Sequence, residues 1–322
     1  MGGPARDTGA DGGSVMTREK EPRRRLIIRS TVALSFVLAV SGCGDGNGTS
    51  DHEAPSAGGT ASASLVSAKD FGSATFTASD IVDNAWFPLE PGTRWTWEGH
   101  AYDDDELIDR KVVITVTDLT KVIDGVRARV VWDLDFNDGT MEESEIALFA
   151  QDDAGNVWQL GEYPEEYDDG KIVKTPAWIA GIEGAKAGLA MKADPQLGTP
   201  SYAEGWGPQV GWNDRAEIVQ MGERVCVPVD CYDDVLVIKE FGVTKPGAFQ
   251  LKYYAGGVGN IQVGWGGPKE EEQEELALEE LMHLSPDALA RVRAKVLAQD
   301  ARGYTYSEDV YGHTSRAEPS QS

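Results

Sequence analysis

Lys111-Val-Val-Ile-Thr-Val-Thr-Asp118, then Asp124-Gly125, then Val126-Arg-Ala-Arg-Val-Val-Trp-Asp-Leu134: two runs rich in β-branched residues flank a turn dipeptide. Branching at Cβ restricts the side-chain torsion in a way that a pleated strand tolerates better than a helix, and Asp-Gly accepts the left-handed backbone of a tight hairpin. The pair predicts two antiparallel strands. The same pattern continues on both sides, with turn signals at Asn137-Asp138-Gly139, Asp153-Ala-Gly-Asn156 and Asp169-Gly170. It returns in four more strand-like runs at 215–225, 232–241, 248–254 and 258–263. A β domain over 70–267, built as an antiparallel up-and-down meander, is the reading. Between its halves, 175–202 carries three Pro and four Gly without a clear period, a length that in a compact domain points to a lid or a binding loop.

Beyond the β pattern the composition turns acidic. Leu278, Leu281 and Met282 stand at helical spacing, and Ser285-Pro286-Asp287 offers a capping hydroxyl, a proline at the first helical position and an acid in the first turn. Ala288, Leu289, Val292 and Val296 form an apolar stripe. A helical hairpin over 268–303, closing at Gly303 and packing on the sheet, is expected, with a tail at 304–322. The alternative use of that acidic hairpin is to meet a basic partner in the cell envelope.

The N-terminus supplies an address. Arg23-Arg24-Arg25 precede the short apolar run 31–40, and Val40-Ser41-Gly42-Cys43 follows in the order of a bacterial lipobox. The apolar run is far shorter than the roughly 20 residues of a spanning helix. Residues 1–42 therefore read as a signal peptide, with Met16 an alternative start, and Cys43 as the site of lipidation. An ordinary secretory signal with an incidental cysteine is the competing reading. Residues 43–69 are rich in Gly, Ser, Ala and Thr, a flexible tether of about 25–30 Å root-mean-square span. The expected location is extracytoplasmic, lipid-anchored to the bacterial cell membrane.

The 322-residue chain has a formal net charge of −25. Setting aside the seven basic and four acidic residues ahead of Cys43 leaves 22 and 50, a net charge near −28. Such a surface repels phosphate backbones and anionic headgroups, so no nucleic-acid partner is expected and the membrane is reached through the lipid. Cys226 and Cys231 remain, and outside the cytoplasm an even remainder implies a disulfide, here across a hairpin base and contributing about 2 kcal/mol or less.

Asn84-Ala-Trp-Phe-Pro-Leu-Glu-Pro-Gly-Thr-Arg-Trp-Thr-Trp-Glu98 resembles the opening motif of a family of exported bacterial proteins, many of them lipoproteins, of unknown function. Val122-Ile-Asp-Gly-Val126, Ala150-Gln-Asp-Asp-Ala-Gly-Asn-Val-Trp158 and Tyr253-Tyr-Ala-Gly-Gly-Val-Gly259 are similar to it as well. The resemblance covers roughly 80–265 and implies an open or half β-barrel around a helix or loop. It carries no catalytic residue. The Cys226/Cys231 pair and the acidic C-terminal segment depart from the family pattern.

Trp95 and Trp97 lie two apart on one strand face, where they serve either the core or a ligand platform. Asp133-Leu-Asp-Phe-Asn-Asp-Gly139 approaches a calcium loop but misplaces its glycine and its final glutamate, so a hairpin turn accounts for it. The four histidines form no metal-ligand grouping, and no nucleophile elbow, P-loop or dinucleotide fingerprint occurs. No cofactor, metal or catalytic residue is expected. The functional reading is a non-catalytic domain that binds a small apolar or carbohydrate-like ligand in a concave sheet face. The alternatives are a structural or protein-interaction module, and a hydrolase built on paired carboxylates.

Overall fold

The computed structural model describes residues 1–2, 68–103, 106–243, 247–267 and 274–320; the leader, Cys43 and nearly all of the tether lie outside them. Helix α1 (Ala68–Ser73) leads to β1 (Thr93–Asp103), β2 (Glu106–Ile123), β3 (Val126–Asn137), β4 (Thr140–Gln151) and β5 (Val157–Asp168). The short strands β6 (Lys171–Lys174), β7 (Trp178–Ile179), β8 (Lys186–Met191), β9 (Tyr202–Ala203) and β10 (Gly205–Trp206) follow. Then come β11 (Asp214–Cys226), β12 (Cys231–Gly242), β13 (Phe249–Ala255), β14 (Gly259–Gly266), β15 (Glu274–His283), α2 (Pro286–Tyr306) and β16 (Glu318–Pro319).

The meander forms because its turns leave little choice. Asp124-Gly125, Asp138-Gly139 and Asp169-Gly170 each have two consecutive residues at positive φ (48°/80°, 48°/76° and 48°/71°). That is the two-residue turn whose twist matches the strands it joins. Asp152 shapes the next turn with its side chain, accepting from the Ala154 and Asn156 amides. Strands β1 to β5 are therefore neighbours in order, as are β11 to β15, and every pairing among them is antiparallel. The last strand, β15, comes back beside the first. The sheet thus curls into a nearly closed barrel with one seam, where the edge strands β8 and β11 face each other. The chain crosses that seam in five residues, since β9 pairs with β11 and β10 with β8. So close a crossing needs glycine: a Cβ on Gly188 would stand 2.2 Å from the Gly205 nitrogen, and one on Gly205 would stand 1.9 Å from the Trp212 ring.

The barrel interior is divided. At one end Trp95, Trp97, Ile114, Phe149, Leu236 and Tyr254 pack with Phe87 and Leu89, which arrive from the segment ahead of β1 and plug that end. Towards the other end the same inward faces carry Arg110, Asp133, Asp135, Glu143, Glu145, Glu240, Lys252 and Glu274, all buried. A second apolar layer lies outside the sheet, where α2 rests Val292 and Val296 on Leu119, Val130, Ile146 and Leu148.

The C-terminal segment corrects one expectation. A single helix stands where a helical hairpin over 268–303 was expected, because Glu274–His283 is strand β15, paired with both β1 and β14. Leu276 and Leu278, two apart, enter the core, and the open edge of β1 outweighs the helix preference of the glutamates. The second helix is as expected at its start, with Ser285 capping the Ala288 amide, but it runs on to Tyr306. Gly303 does not close it; the glycine lets α2 approach the Tyr311 ring, where a Cβ would stand 2.4 Å away. The helix is fastened to its own sheet by Gln299, which accepts from Trp132 and Ser144, and by Lys121–Asp300 at 2.8 Å. Its apolar stripe is occupied by its own sheet.

Cys226 and Cys231 are disulfide-bonded and face each other in register across the β11–β12 hairpin. Among the described residues no helix is long and apolar enough to cross a membrane.

Candidate functional site

At the seam, where hydrogen bonding between β8 and β11 lapses, the surface opens into a cleft of about 870 Å³. Its walls come from five separate stretches: Asp70, Ser73 and Ala74; Asp152, Asn156 and Trp158; Leu189 and Lys192; Pro200 to Ala203; and Arg215. The long 175–202 connection, read from sequence as a lid or binding loop, supplies one whole side. It contains β7 and β8, so it is built structure rather than a bare loop.

Several cleft residues are set in place by the motif stretches. Asn84 holds the Trp86 and Phe87 amides with its Oδ1, and its Nδ2 donates to the carbonyls of Gly155 (2.9 Å) and Lys192 (3.1 Å). Asn156 Oδ1 accepts from the Ala193 amide at 3.0 Å. Lys192 thus has its backbone pinned from both sides. The carboxylate of Asp152 is saturated, taking the Ala154 and Asn156 amides, Asn156 Nδ2 and the Trp158 indole N–H.

Two basic side chains, Lys192 and Arg215, line the cleft. Lys192 lies 4.7 Å from the Tyr202 ring centroid and reaches Thr199 Oγ1 at 3.5 Å; burial lowers its pKa. Arg215 donates from Nε to Ser201 Oγ at 3.0 Å and from Nη2 to the Ser201 carbonyl, and burial lowers its pKa too. Tyr202 is the partition between cleft and barrel. One face of its ring carries Lys192, while its hydroxyl is buried and meets no hydrogen-bond partner among the described residues. Burial first, then the nearby Glu204 and Glu240, push that hydroxyl well above the usual tyrosine range.

Behind Tyr202 lies the charged end of the barrel. Glu204, in the seam crossing, and Glu240 share a hydrogen bond, and Lys252 Nζ stands 2.5 Å from Glu240 Oε2. Burial and Glu240 raise Glu204 well above the carboxylate range. Tyr202 belongs both to the cleft lining and to the interior core.

The two tryptophans weighed as ligand-facing sit inside the apolar end. Trp95 and Trp97 stack at 6.3 Å between centroids and are 5% and 4% exposed. Their indole N–H groups donate to the Val258 and Asn260 carbonyls at 2.9 and 3.2 Å. The void beside them is about 30 Å³, room for water but not for a small-molecule ligand. The opening motif thereby docks on the glycine-rich 253–259 turn, and the Gly257 amide closes the contact on the Ala85 carbonyl at 2.7 Å. In the calcium-like stretch, Asp133 and Asp135 are inward strand residues and Asp138-Gly139 is the hairpin turn. Among the described residues no group of three or more potential ligands is placed to hold a metal ion.

Sequence reasoning passed over Lys192, Tyr202 and Arg215. The signal for the first was its place in the suspected loop 175–202 of a strongly acidic chain.

No family model matches the chain, and no curated protein matches it. Among solved structures it is similar to a Bacteroides fragilis protein, provisionally described as exported and as having a YmcC-like fold. The identity is 14%, the match covers 62% of this chain and 99% of that one, and the TM-score is 0.36. It is also similar to a Parabacteroides distasonis protein provisionally described as a lipoprotein, with 14% identity, 62% and 100% coverage and a TM-score of 0.35.

Proposed function

We propose that this chain is a lipid-anchored extracytoplasmic binding domain, without catalysis of its own, that takes a small apolar or carbohydrate-like ligand in the seam cleft. The observation that carries the reading is the cleft itself. At about 870 Å³ it has the size of a small-molecule site, and its lining combines Trp158, Leu189 and Tyr202 with a few fixed polar groups. The concave interior, the place expected from the sequence, is filled by Phe87, Leu89 and the tryptophans, so binding moves to the seam. No histidine lines the cleft, Ser201 Oγ accepts from Arg215, Ser73 Oγ donates to the Asp70 backbone carbonyl and Asp152 is consumed by N–H donors, so among the described residues no hydroxyl of the lining is hydrogen-bonded to a side-chain base. The anchor rests on the lipobox ending at Cys43, ahead of a tether that lifts the barrel off the bilayer.

Two measurements test this. Cys43→Ser is expected to move the protein from the membrane fraction to the soluble extracytoplasmic fraction; persistence with membranes defeats the anchor. Organic extraction of the purified protein followed by mass spectrometry is expected to release a stoichiometric small compound. Ser73→Trp, at the exposed mouth of the cleft, is expected to remove most of that compound while leaving the melting temperature unchanged. An extract that is empty, or the same in both proteins, defeats the cleft as the site.

A further inference from the structure

We propose that the seam cleft selects an amphiphile with an acidic head group, whose charge is met by Lys192; this rests on the seam cleft being the binding site. The formal charge of the chain is −25, and ammonium groups in such a molecule ordinarily find a carboxylate. Lys192 does not. Its contacts are Thr199 Oγ1 at 3.5 Å and the face of Tyr202, and among the described residues no acid lies within ion-pair distance. The residue is nonetheless held, because Asn84 and Asn156 bond the carbonyl and the amide of the Lys192–Ala193 peptide and the ammonium rests over the Tyr202 ring. Of the two acids in the lining, Asp152 already accepts from four N–H groups, and Asp70 is exposed on α1 and makes no ion pair with Lys192. A positioned, partly dehydrated cation without a counter-charge, beside aromatic and aliphatic walls, is complementary to a carboxylate or phosphate on an apolar body.

Paired dyes read this directly. 8-Anilinonaphthalene-1-sulfonate and N-phenyl-1-naphthylamine share one aromatic body, and only the first carries a charge. With the full-length Cys43→Ser protein, the sulfonate is expected to bind more tightly than the neutral dye. Lys192→Gln is expected to weaken the sulfonate by about fivefold or more and leave the neutral dye unchanged, while Lys192→Arg retains both affinities. Displacement of the sulfonate by dodecanoate or by dodecyl phosphate supports the proposal, and the better competitor identifies the head group. Equal displacement by dodecyl maltoside overturns it. Equal binding of the two dyes, untouched by Lys192→Gln, also overturns it while leaving the cleft as the binding site. If neither dye binds, the cleft reading itself fails, and this inference with it.

Discussion

Asp133→Asn is expected to stabilise the protein at neutral pH by about 2 kcal/mol, raising its melting temperature by about 4–8 °C. Asp133 lies on the inward face of β3, 3% exposed, and neither of its carboxylate oxygens meets a hydrogen-bond partner among the described residues. It stands directly opposite Glu145 in the pairing of β3 with β4, one step from the Asp135–Glu143 pair. Burial, then Asp135 and Glu143, push its pKa well above the carboxylate range, and the Arg110 guanidinium only partly opposes them. Because the folded pKa exceeds the unfolded one, the folded state holds this proton more tightly. Stability from this group is complete below about pH 4 and is lost as pH rises through the folded pKa. Glu204 and Glu240 are raised by burial in the same direction. Unfolding in urea across pH 4 to 8 should therefore show stability declining as pH rises, the reverse of an ordinary acid-sensitive surface network. Asparagine removes the ionisation and adds an N–H₂ donor towards the neighbouring acids, so the variant should show a flatter profile. A variant that is less stable than the parent at pH 7, or a pH profile unchanged by it, would show that Asp133 is compensated in the folded state.

The meander was legible because its determinants are local. An Asp-Gly pair between β-branched runs has few ways to fold, and the strands read over 215–225, 232–241, 248–254 and 258–263 lie within three residues of β11 to β14 at their ends. The strand Glu274–His283 was not legible for the opposite reason. Leu278, Leu281 and Met282 suit a helix, and only the edge of β1, about 180 residues earlier in the chain, makes the alternation of Leu276 and Leu278 the relevant period. The charged interior was hidden by closure. Along a strand such as Val131-Trp-Asp-Leu-Asp135, a face carrying two aspartates reads as the wet side, and it becomes the inside only when the sheet curls shut. The cleft fell between these cases. Its long connection was visible in sequence, but its lining is assembled from stretches around 70, 155, 190, 200 and 215 that meet only at the seam.

Arg110→Met is expected to cost about 3–5 kcal/mol, the largest single loss among these changes, lowering the melting temperature by about 6–20 °C. The guanidinium is buried on β2 and divides its donors among three acceptors. Nη2 meets Asp135 Oδ2 at 2.6 Å, Nε meets Glu274 Oε1 at 2.9 Å, and Nη1 meets Asn137 Oδ1 at 2.9 Å. Burial lowers its pKa, but Asp135 and Glu274 more than compensate, so it remains charged at any working pH. One side chain therefore ties β3 to β15, the two strands that flank the β1–β2 pair, at the end of the barrel that lacks an apolar plug. Removing it leaves its partners' charges short of their counter-ion inside a closed sheet, and their desolvation is then no longer offset. The cost belongs to the uncompensated acids rather than to the lost arginine, and that is separable. Arg110→Met combined with Asp135→Leu and Glu274→Leu should recover most of the stability, because apolar groups of similar size replace a buried ion cluster with little net change. A triple variant no more stable than Arg110→Met alone would mean that the guanidinium acts through packing. A single variant costing less than about 1 kcal/mol would mean that the acids at this end are already neutral, with Asp133 setting the rule for its neighbours rather than the exception.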